Sequence, residues 1–460
     1  MMSDVCVIAG AYYFKPGDKE GEALAKKYSL PNPEYRMAQS RRSQGKYMKM
    51  PPQRISAAQK IPHEHSWGGG WAIPRNADIS SLGRSPIDKR TEPREAKALV
   101  PVDGYSLRDY QSEALEAWTS NGGQGVITAP CGAGKTSIGI FAMVAFQTKA
   151  LVLVHTNDLA QQWISRIQST LQDCSVSLYG GGKRDDSGRV VVATFQTLDR
   201  MGWVERYKWA QQFGLTIVDE CHHLPAAMFS RVIMTMPAKN RLGLTATPKR
   251  QDGLTSMLWW HIGPMVYEIT NESLASEGHV VPPRVEWLMT DWTGPTTQMD
   301  WPKLVNEMTL NMDRNEKIIK RVADAVDEGR QVLVLSDRVD HCILIASEMR
   351  HMGYIAEPLV GRMTKKQRAE TLARAQSREL QVVCATTLAD EGLDLPALDT
   401  VVLTTPTKAL ARIQQRIGRV MRPHPGKLEP LVIDIVDDIG SMRGLARKRM
   451  KLYTRVGCTW

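Results

Sequence analysis

Short apolar runs alternate with segments of helical spacing over most of this 460-residue chain. Segment 158–171 carries apolar residues at intervals of three and four, which is the repeat of one helix face. The runs between such segments are rich in β-branched residues, as is typical of parallel strands covered on both faces. The first half of the chain contains five of these runs, at 125–129, 150–155, 189–194, 215–220 and 240–246.

The same alternation resumes after an interruption between about 270 and 305 that contains several Pro residues. The second series of runs lies at 331–336, 356–361, 380–386, 398–405 and 430–436. The pattern therefore predicts an α/β fold with two parallel-sheet domains in tandem. We expect the first domain at 105–275, a linker at 276–305 and the second domain at 306–460.

Residues 1–104 have a different composition, with more Pro, Gly and Ser, and we expect a small basic domain there. The first hundred residues hold 17 Lys or Arg against 10 Asp or Glu, so they carry most of the chain's net charge of +10. Segment 35–54 interleaves these cations with Tyr35 and Tyr47. Phosphate contacts and base stacking would use this mixture, and a solvated basic loop would show it equally well.

Composition excludes several classes of protein. The chain is 42% hydrophobic and 23% charged, which is typical of a folded domain rather than a disordered one. Its seven cysteines form no C-x-x-C pair, which argues against a disulfide framework or a zinc ribbon and favours a reducing compartment. No apolar run reaches the ~18 residues of a membrane span. We expect a soluble cytoplasmic protein, in the host cytoplasm if a phage encodes it.

A glycine-rich segment joins the run at 125–129 to an apolar helical stretch. Such a turn aims backbone N–H groups at phosphate oxygens, and the helix that follows adds its positive end. Lys135 would reach the β- and γ-phosphates of ATP, and the Thr136 hydroxyl would bind Mg²⁺. The residues expected to cradle the phosphates are Pro130, Cys131, Gly132, Ala133, Gly134, Lys135, Thr136 and Ser137. The pattern departs from the usual one only in Ala129, which stands where the first glycine is expected.

A second group of polar residues, "DECHH", closes the run at 215–220. In a phosphate-transfer site, Asp219 would bind Mg²⁺ and Glu220 would orient or deprotonate the attacking water. The alternative is a zinc site formed by Cys221, His222 and His223. Zinc requires four converging ligands, whereas adjacent strand residues point to opposite faces, and no second Cys/His cluster lies nearby. Magnesium is therefore favoured.

Together these motifs resemble those of superfamily 2 helicases of the DExH type. The variant A-x-x-G-x-G-K-T, with Ala first, is typical of that superfamily, and the resemblance covers roughly residues 105–455. The continuation through Arg250, Asp252 and Gly253 is similar to the branch that contains XPB-like DNA helicases and phage branch-migration helicases. The resemblance implies two RecA-like domains, ATP and Mg²⁺ as cofactors, and DNA as the partner.

The resemblance also implies roles for residues outside the phosphate loop. Gln111, assisted by Arg108, would read the adenine, and Gly392 and Asp394 would face the nucleotide. The residues expected to couple ATP to nucleic acid are His222, near Gln415, together with Thr245 and Thr247. The residues expected to contact nucleic acid are Thr156, Thr194, Gln196, Ser336, Arg338, Arg362, Thr386 and Thr387.

A basic segment, "QQRIGRVMRP", resembles the last helicase motif. Its Gln415, Arg419 and Arg422 are spaced by four and three residues, so on a helix they would share one face. Two guanidinium groups offered to a γ-phosphate from the second domain would act as arginine fingers. Beyond this motif, segment 445–460 predicts a basic amphipathic helix that either packs on the second domain or extends the DNA surface, and packing is favoured.

The sequence thus predicts an ATP-dependent DNA helicase or translocase that moves 3′→5′. The resemblance implies unwinding or branch migration of forked or branched DNA in replication, recombination or repair, with proteins of those processes as candidate partners. Three alternatives stay open: an RNA helicase, a duplex translocase that does not separate strands, and a nucleic-acid-binding scaffold without catalysis. The presence of Lys135, Asp219, Glu220, Arg419 and Arg422 argues against the scaffold.

Overall fold

The structure is a computed structural model, and it describes eleven segments of the chain. These are residues 6–43, 50–64, 68–82, 85–93, 97–130, 132–220, 226–246, 253–295, 299–386, 395–407 and 410–460. The chain divides into two compact units, one of residues 1–129 with 134–269 and the other of residues 130–133 with 270–460.

The N-terminal part of the first unit contains short strands and two helices. In chain order these are β1 (Val7–Ile8), β2 (Ala11–Phe14), α1 (Lys19–Lys27), β3 (Ser29–Pro31), α2 (Pro33–Ser43), β4 (Arg54–Ser56), β5 (Gln59–Ile61), β6 (Gly70–Pro74) and β7 (Ile87–Asp88), with a 3₁₀ turn at Ser80–Leu82. Five strands form a sheet in the order β5-β6-β2-β1-β7, and β3 pairs with β4 alone. We call residues 6–93 of this part the N-terminal module.

The rest of the first unit is an α/β sheet. Its elements are α3 (Asp109–Ser120), β8 (Gln124–Thr128), α4 (Lys135–Phe146), β9 (Ala150–Val154), α5 (Asn157–Thr170), β10 (Val176–Gly180), β11 (Lys183–Arg184), β12 (Val190–Thr194), α6 (Phe195–Asp199), α7 (Trp203–Ala210), β13 (Leu215–Asp219), α8 (Ala226–Ile233), β14 (Asn240–Thr245), α9 (Thr255–His261) and β15 (Met265–Glu268). The strand order is β11-β10-β12-β9-β13-β14-β8-β15, and every pairing except that of β10 with β11 is parallel. The central strands are wholly buried, which explains their continuous apolar sequences.

The second unit contains a six-stranded sheet. Its elements are α10 (Asn271–Ser276), β16 (Arg284–Thr290), α11 (Trp301–Leu310), α12 (Met312–Asp327), β17 (Val332–Leu335), α13 (Val339–His351), β18 (Ala356–Leu359), α14 (Lys365–Gln376), β19 (Val382–Ala385), β20 (Thr400–Leu403), α15 (Leu410–Gly418), β21 (Leu431–Asp437) and α16 (Gly440–Val456). The order β16-β21-β20-β17-β19-β18 is parallel throughout. The predicted α/β fold class with two parallel sheets is therefore confirmed.

The predicted linker at 276–305 is wrong over part of its length. Strand β16 lies inside it and pairs with β21 along all seven residues, from Arg284 opposite Leu431 to Thr290 opposite Asp437. This edge strand is only partly buried, so polar residues interrupt its apolar positions. A strand covered on one side only gives a weaker sequence pattern than the buried strands beside it.

The sequence predicted a small basic domain at residues 1–104. The N-terminal module has its own sheet, but it belongs to the same compact unit as the α/β part that follows it. Its Phe14 and Ile73 share one apolar cluster with Leu254 and Met257 of the following α/β part. The buried hydroxyl of Tyr13 also donates to the carbonyl oxygen of Met234 across 2.7 Å. The two parts of the first unit therefore share a core.

Two buried arginines reinforce this shared core. Arg75 of the module donates to the carbonyl oxygens of Ala238, at 2.6 Å, and of Lys239. In the opposite direction, Arg241 donates to the carbonyl of Gly10 at 3.2 Å and to that of Met236 at 2.6 Å. Burial lowers the pKa of both guanidinium groups, that of Arg241 to about 9. Backbone dipoles from both parts thus solvate cations that would otherwise be costly to bury.

The described part of the chain contains no helix long and apolar enough to cross a membrane.

Replacing Arg75 by Met tests this coupling, because Met keeps most of the apolar bulk and removes every donor. The carbonyls of Ala238 and Lys239 then lose a charged partner, and we expect the free energy of unfolding to fall by about 3 kcal/mol. Urea denaturation followed by circular dichroism measures it. Arg90→Met is the matched control, since Arg90 pairs with Asp88 near the surface, where such pairs contribute about 0–1 kcal/mol. Equal losses in the two variants would contradict the proposed coupling.

Candidate active site

The phosphate loop follows β8 and ends where α4 begins. Gly132 and Gly134 have φ angles of 92° and 75°, in the left-handed region that side chains disfavour. A Cβ atom on Gly134 would also lie 2.3 Å from Nε2 of Gln111, so the position has no room for a side chain. The N-cap residue of α4 is Gly134, which has no side chain to cap the first turn. The N–H groups of such a helix start form a fitting site for a phosphate.

Lys135 is the first residue of α4, and its ammonium group is largely buried. Its Nζ donates to the carbonyl oxygen of Ala129 at 3.1 Å and lies 3.3 Å from Oε1 of Glu220. The side chains of Lys135 and Glu220 are only 11% and 14% exposed. A cation is thereby placed between the phosphate loop and the carboxyl end of β13, although the two segments lie far apart in the sequence.

Asp219 is the last residue of β13 and is buried among polar partners. Its Oδ2 accepts from the indole Nε1 of Trp163 at 2.8 Å, and its Oδ1 accepts from the N–H of Glu220 at 3.0 Å. The pKa of Asp219 is raised to about 6. Burial is the main cause, and the neighbouring Glu220 carboxylate adds to it. The hydrogen bond from Trp163 and the charge of Lys135 act in the opposite direction and offset part of the rise. Both oxygens are therefore oriented by fixed donors. The raised pKa shows that nearby positive charge does not fully balance the buried carboxylate.

Trp163 is a contributor to the site that the sequence analysis did not single out. It lies on α5, is almost fully buried, and its ring also fills the space above Gly139 of α4, where a Cβ would come within 2.6 Å. It appeared in the sequence only as one apolar position of a helical face. A chemical argument could have identified Trp163 as a partner of the site. A buried indole needs an acceptor for its N–H, and few acceptors are available beside a parallel sheet.

Glu220 adopts a backbone conformation that is uncommon for its residue type. Its φ angle is 45°, in the left-handed region, and its Oε2 lies 3.4 Å from the N–H of Ala246, just after β14. Strained residues of this kind persist where the surroundings hold them, and they cluster at functional sites. The turn directs the Glu220 carboxylate towards Lys135 rather than along the strand.

A divalent cation fits this site. Asp219 and Glu220 contribute two carboxylates against the single ammonium of Lys135, and the half-buried Thr136 is the second residue of α4. Among the described residues, no three His, Cys, Asp or Glu side chains converge as a metal cluster. Magnesium does not need one, because it takes most of its ligands from water and phosphate. The alternative zinc ligands, Cys221 to His223, lie outside the described residues.

The residues predicted to read adenine lie at the start of α3. Gln111 is buried, its Oε1 accepts from the N–H of Arg108 at 3.0 Å, and its Nε2 packs on Gly134. Nearby, the hydroxyl of Tyr105 is hydrogen bonded to Oγ of Ser137 at 2.7 Å. The predicted group is thus brought against the phosphate loop, together with Tyr105, which the sequence analysis did not identify.

The nucleic-acid residues predicted for the first unit form one neighbourhood. Thr156 caps α5 by accepting from the N–H of Leu159 at 3.2 Å, and the exposed Gln196 donates to the carbonyl of His155 at 2.8 Å. Thr194 is different: its side chain is buried and bonded to Thr197 at 2.8 Å. The hydroxyl of Thr194 is thus used inside the turn that starts α6, and its contact with nucleic acid stays a prediction.

Thr245, predicted to couple the two sites, is the last residue of β14 and is fully buried. Its carbonyl oxygen accepts from the N–H of Ala129 at 2.9 Å, so the strand end and the phosphate loop are joined by backbone.

Ser336 of the second unit, predicted to contact nucleic acid, lies in the turn after β17, and its contact stays a prediction. Its hydroxyl is fully buried, lies 3.0 Å from Nδ1 of His341, and accepts from the N–H of Arg338 at 3.1 Å. The guanidinium group of Arg338 is already engaged with α11, donating to Asn306 and to the carbonyl of Pro302. Both residues therefore organise the turn after β17.

The two other predicted contacts of the second unit differ in exposure. Arg362 is exposed and lies 3.3 Å from Asp340 on the surface, so it is accessible to a ligand. Thr386 follows β19 and is buried, and its hydroxyl has no hydrogen-bond partner within the described segments. A buried hydroxyl of this kind is costly unless a ligand or a conformational change provides a partner.

The arginine-finger segment does not form the continuous helix face that the spacing predicted. Helix α15 ends at Gly418, and tight turns follow, with the N–H of Arg419 bonded to the carbonyl of Arg416. Arg422 therefore lies beyond the helix. Arg416, which the sequence analysis passed over, is buried and lies 3.3 Å from Asp337. The segment is thus attached to the turn after β17 by an ion pair.

Two family comparisons match this arrangement in chain order. The model of the type III restriction enzyme res subunit matches residues 104–250, and that of the helicase conserved C-terminal domain matches residues 313–424. The DNA 3′-5′ translocase XPB2 of Sulfurisphaera tokodaii is 28% identical over 384 residues, covering 75% of this chain and 85% of that protein. The chain belongs to the superfamily 2 helicases. Within them it falls in the branch of XPB-like DNA helicases and phage helicases.

Further comparisons agree with this assignment of the helicase. The DNA 3′-5′ helicase XPB of Kineococcus radiotolerans is 30% identical over 342 residues, covering 72% of this chain and 59% of that protein. A probable helicase of Escherichia phage T5 is 25% identical over 382 residues, covering 83% and 81%. The two matched domains, together with the similarity to XPB DNA helicases, identify the enzyme class as ATP-dependent DNA helicase.

The fold of the helicase has a solved counterpart. A type ISP restriction-modification enzyme, LlaBIII, bound to DNA, superposes with a TM-score of 0.54 at 16% identity over 72% of this chain and 28% of that one. At this identity the likeness concerns the fold alone, which is the tandem RecA-like arrangement.

Several predicted residues of the helicase lie outside the described residues. They are Cys131, His222, Thr247, Thr387, Gly392 and Asp394, and the side chain of Gln415.

The raised pKa of Asp219 leads to a stability prediction. The folded pKa of about 6 lies above the ordinary value of 3.8, so this residue's contribution to stability is present at low pH and lost as pH rises through 6. Above that pH the folded chain must hold an ionised, buried carboxylate, which destabilises it. Asn removes that penalty and gives up one accepted hydrogen bond, worth about 1 kcal/mol.

We therefore expect Asp219→Asn to stabilise the nucleotide-free helicase at pH 7.5 and to give no gain near pH 4. Urea denaturation at both pH values, with divalent cations chelated, measures the difference. A variant that is no more stable than the natural chain at pH 7.5 would show that the ionised carboxylate is already compensated.

Proposed function

We propose that this helicase hydrolyses ATP to move 3′→5′ along DNA and to unwind or remodel forked or branched DNA. The observation that carries the proposal is the grouping of Lys135, Asp219 and Glu220 around a glycine-rich helix start. The names of the XPB2 translocase and of the XPB helicases, which specify the 3′-5′ direction, support the polarity.

The residues of the first unit divide the phosphate chemistry between them. Backbone N–H groups of the loop and the Lys135 ammonium bind the phosphates and stabilise the charge that develops in the transition state. Thr136 and Asp219 would hold Mg²⁺, which supplies further charge neutralisation when bound with ATP. Glu220, bent towards Lys135, positions the attacking water and receives its proton. Arg419 and Arg422 are proposed to complete the γ-phosphate contacts.

On the nucleic-acid side, Thr156 and Gln196 are proposed to contact the backbone of one strand. They lie at the ends of neighbouring parallel strands, next to the helix that carries Trp163. Arg362 and the turn at Thr386 are the corresponding proposals for the second unit. Grips of this kind act on phosphates, so binding is expected to tolerate any sequence and to weaken with salt.

The process in which the helicase acts is proposed to be replication, recombination or repair, with branch migration as the activity on junctions. RNA is the second candidate substrate, because a putative ATP-dependent RNA helicase of Acanthamoeba polyphaga mimivirus is also similar, at 27% identity over 79% of this chain and 70% of that protein.

A panel of nucleic acids separates these candidates. We expect ATP hydrolysis to be stimulated by single-stranded, forked and four-way-junction DNA more than by RNA of the same sequence. Lys135→Ala should lower the stimulated rate at least 100-fold, since it removes a charged transition-state contact. Stimulation by RNA alone would overturn the DNA assignment, and unchanged hydrolysis in Lys135→Ala would overturn the proposed site.

Trp163→Phe tests the orientation of Asp219. Phe keeps a ring near Gly139 and removes the indole N–H, so one oxygen of the proposed Mg²⁺ ligand loses its fixed donor. A hydrogen bond to a charged group is worth about 1.5 kcal/mol or more, so we expect Mg²⁺ to tighten nucleotide binding about tenfold less than in the natural chain. Fluorescent ADP titrated with Mg²⁺ and with EDTA gives both affinities.

Nucleotide affinity in EDTA should stay unchanged in Trp163→Phe, because the phosphate loop is untouched. Trp118→Phe is the matched control: that buried indole donates to the carbonyl of Arg241 at 3.2 Å, away from Asp219. If both substitutions reduce the Mg²⁺ effect equally, Trp163 acts only through general stability.

A further inference from the structure

The C-terminal helix α16 packs firmly on the second sheet. Its Arg449 donates to both oxygens of Asp434 at 2.7 and 2.9 Å, and the hydroxyl of Tyr453 donates to the same carboxylate at 2.6 Å. The side chains on the packed face are Met442, Ala446, Arg449, Leu452, Tyr453 and Val456. The sequence-based preference for packing is therefore confirmed, and the helix is held at a fixed rotation about its axis.

The opposite face of α16 is basic along its whole length. Its exposed cations are Arg443, Arg447, Lys448, Lys451 and Arg455, and the helix contains no Asp or Glu. Arg443 pairs with Asp438. Within the described residues, no carboxylate pairs with the other four, which we call the α16 stripe. A face that only needs to be soluble usually mixes both signs of charge, and this face does not.

The spacing of the stripe suits a nucleic-acid backbone. Positions 447, 451 and 455 of the stripe are four residues apart, so these cations recur about every 6 Å along the helix. Phosphates on one strand of a duplex advance about 3.4 Å each along its axis, so every second phosphate recurs after roughly 6.8 Å. The three positions span about 12 Å, or roughly a third of a turn of duplex.

Helix α16 connects the proposed nucleic-acid edge of the same unit with the opposite edge of the sheet, so the stripe leads away from the nucleic-acid edge. The helix begins three residues after β21 ends, and β21 runs parallel to β17 and β19 through β20. The turns that carry Arg338 and Thr386 follow β17 and β19, so all three strands end at one edge. Helix α16 starts at that edge and runs back along the sheet.

We propose that the α16 stripe binds the phosphate backbone of duplex DNA, as a second DNA-binding surface outside the strand-tracking grip. The inference rests on the proposed function, because it assigns an arm of the same forked or branched substrate to this helix. A lipid surface fits less well, since Met450 is the only large apolar side chain exposed on this face, whereas membrane-bound helices insert an apolar face.

The test is a quadruple variant in which the stripe is neutralised: Arg447→Gln, Lys448→Gln, Lys451→Gln and Arg455→Gln. Affinity for a blunt duplex is measured at several salt concentrations in the absence of ATP. Each lost phosphate contact lowers the slope of log affinity against log salt by about 0.9, so we expect a decrease approaching about 3.6. Hydrolysis of ATP without DNA should be unchanged.

A control variant removes four positive charges elsewhere. It carries Lys183→Gln, Arg184→Gln, Lys208→Gln and Lys320→Gln, all at exposed positions on other elements. Equal slopes in the two variants would overturn the proposal, because the stripe would then act only through net charge. A change confined to single-stranded DNA, or lost binding to phosphatidylserine vesicles with unchanged duplex binding, would also overturn it.

Two further measurements keep the outcome clear. The double variant Arg447→Gln/Lys451→Gln should show about half the change in slope, which guards against misfolding of the quadruple variant. If the natural chain shows no DNA-stimulated hydrolysis, the proposed function fails, whereas the stripe is judged only by the duplex slopes.

Discussion

The candidate site depends on the parallel register of three buried strands. Asp219 of β13 lies opposite Leu244 of β14, and the next residue of β14, Thr245, lies opposite Thr128 of β8. Their carboxyl ends therefore coincide within one residue, and the phosphate loop, Glu220 and Ala246 all begin at the same edge. Backbone hydrogen bonds in a dry interior set this alignment more strictly than side chains could. The 3.3 Å approach of Lys135 to Glu220 is a consequence of it.

The parts of the molecule that could be predicted are those whose cause is local in sequence. Buried parallel strands need continuous apolar runs, and a phosphate loop needs glycines followed by Lys135 and Thr136, so both were visible. Strand β16 was missed because an edge strand is partly exposed. The burial of Ser336 and Thr194 was not foreseen, because burial by distant segments has no local signal. Trp163 was missed because its partner Asp219 is 56 residues away.

The structure shows that part of the chain's positive charge lies in the interior and not on a binding surface. Net positive charge suggested nucleic acid, yet several arginines serve the interior. Arg314 lies 2.6 Å from Asp437 with both side chains buried, Arg449 is bonded to Asp434, and Arg75 and Arg241 are solvated by carbonyls. Only exposed and unpaired cations can attract a polyanion. The distribution of charge over surfaces, as on α16, is therefore more informative than its total.

The shared core of the N-terminal module and the first α/β sheet has a consequence for how such a chain can evolve. A domain that folds alone can be gained, lost or exchanged between genes as one piece. Here the contacts of Arg241 with Gly10 and of Tyr13 with Met234 join segments more than 200 positions apart. A recombination event between them would separate each buried donor from its acceptor. The module and the sheet can therefore change only together, as one inherited unit.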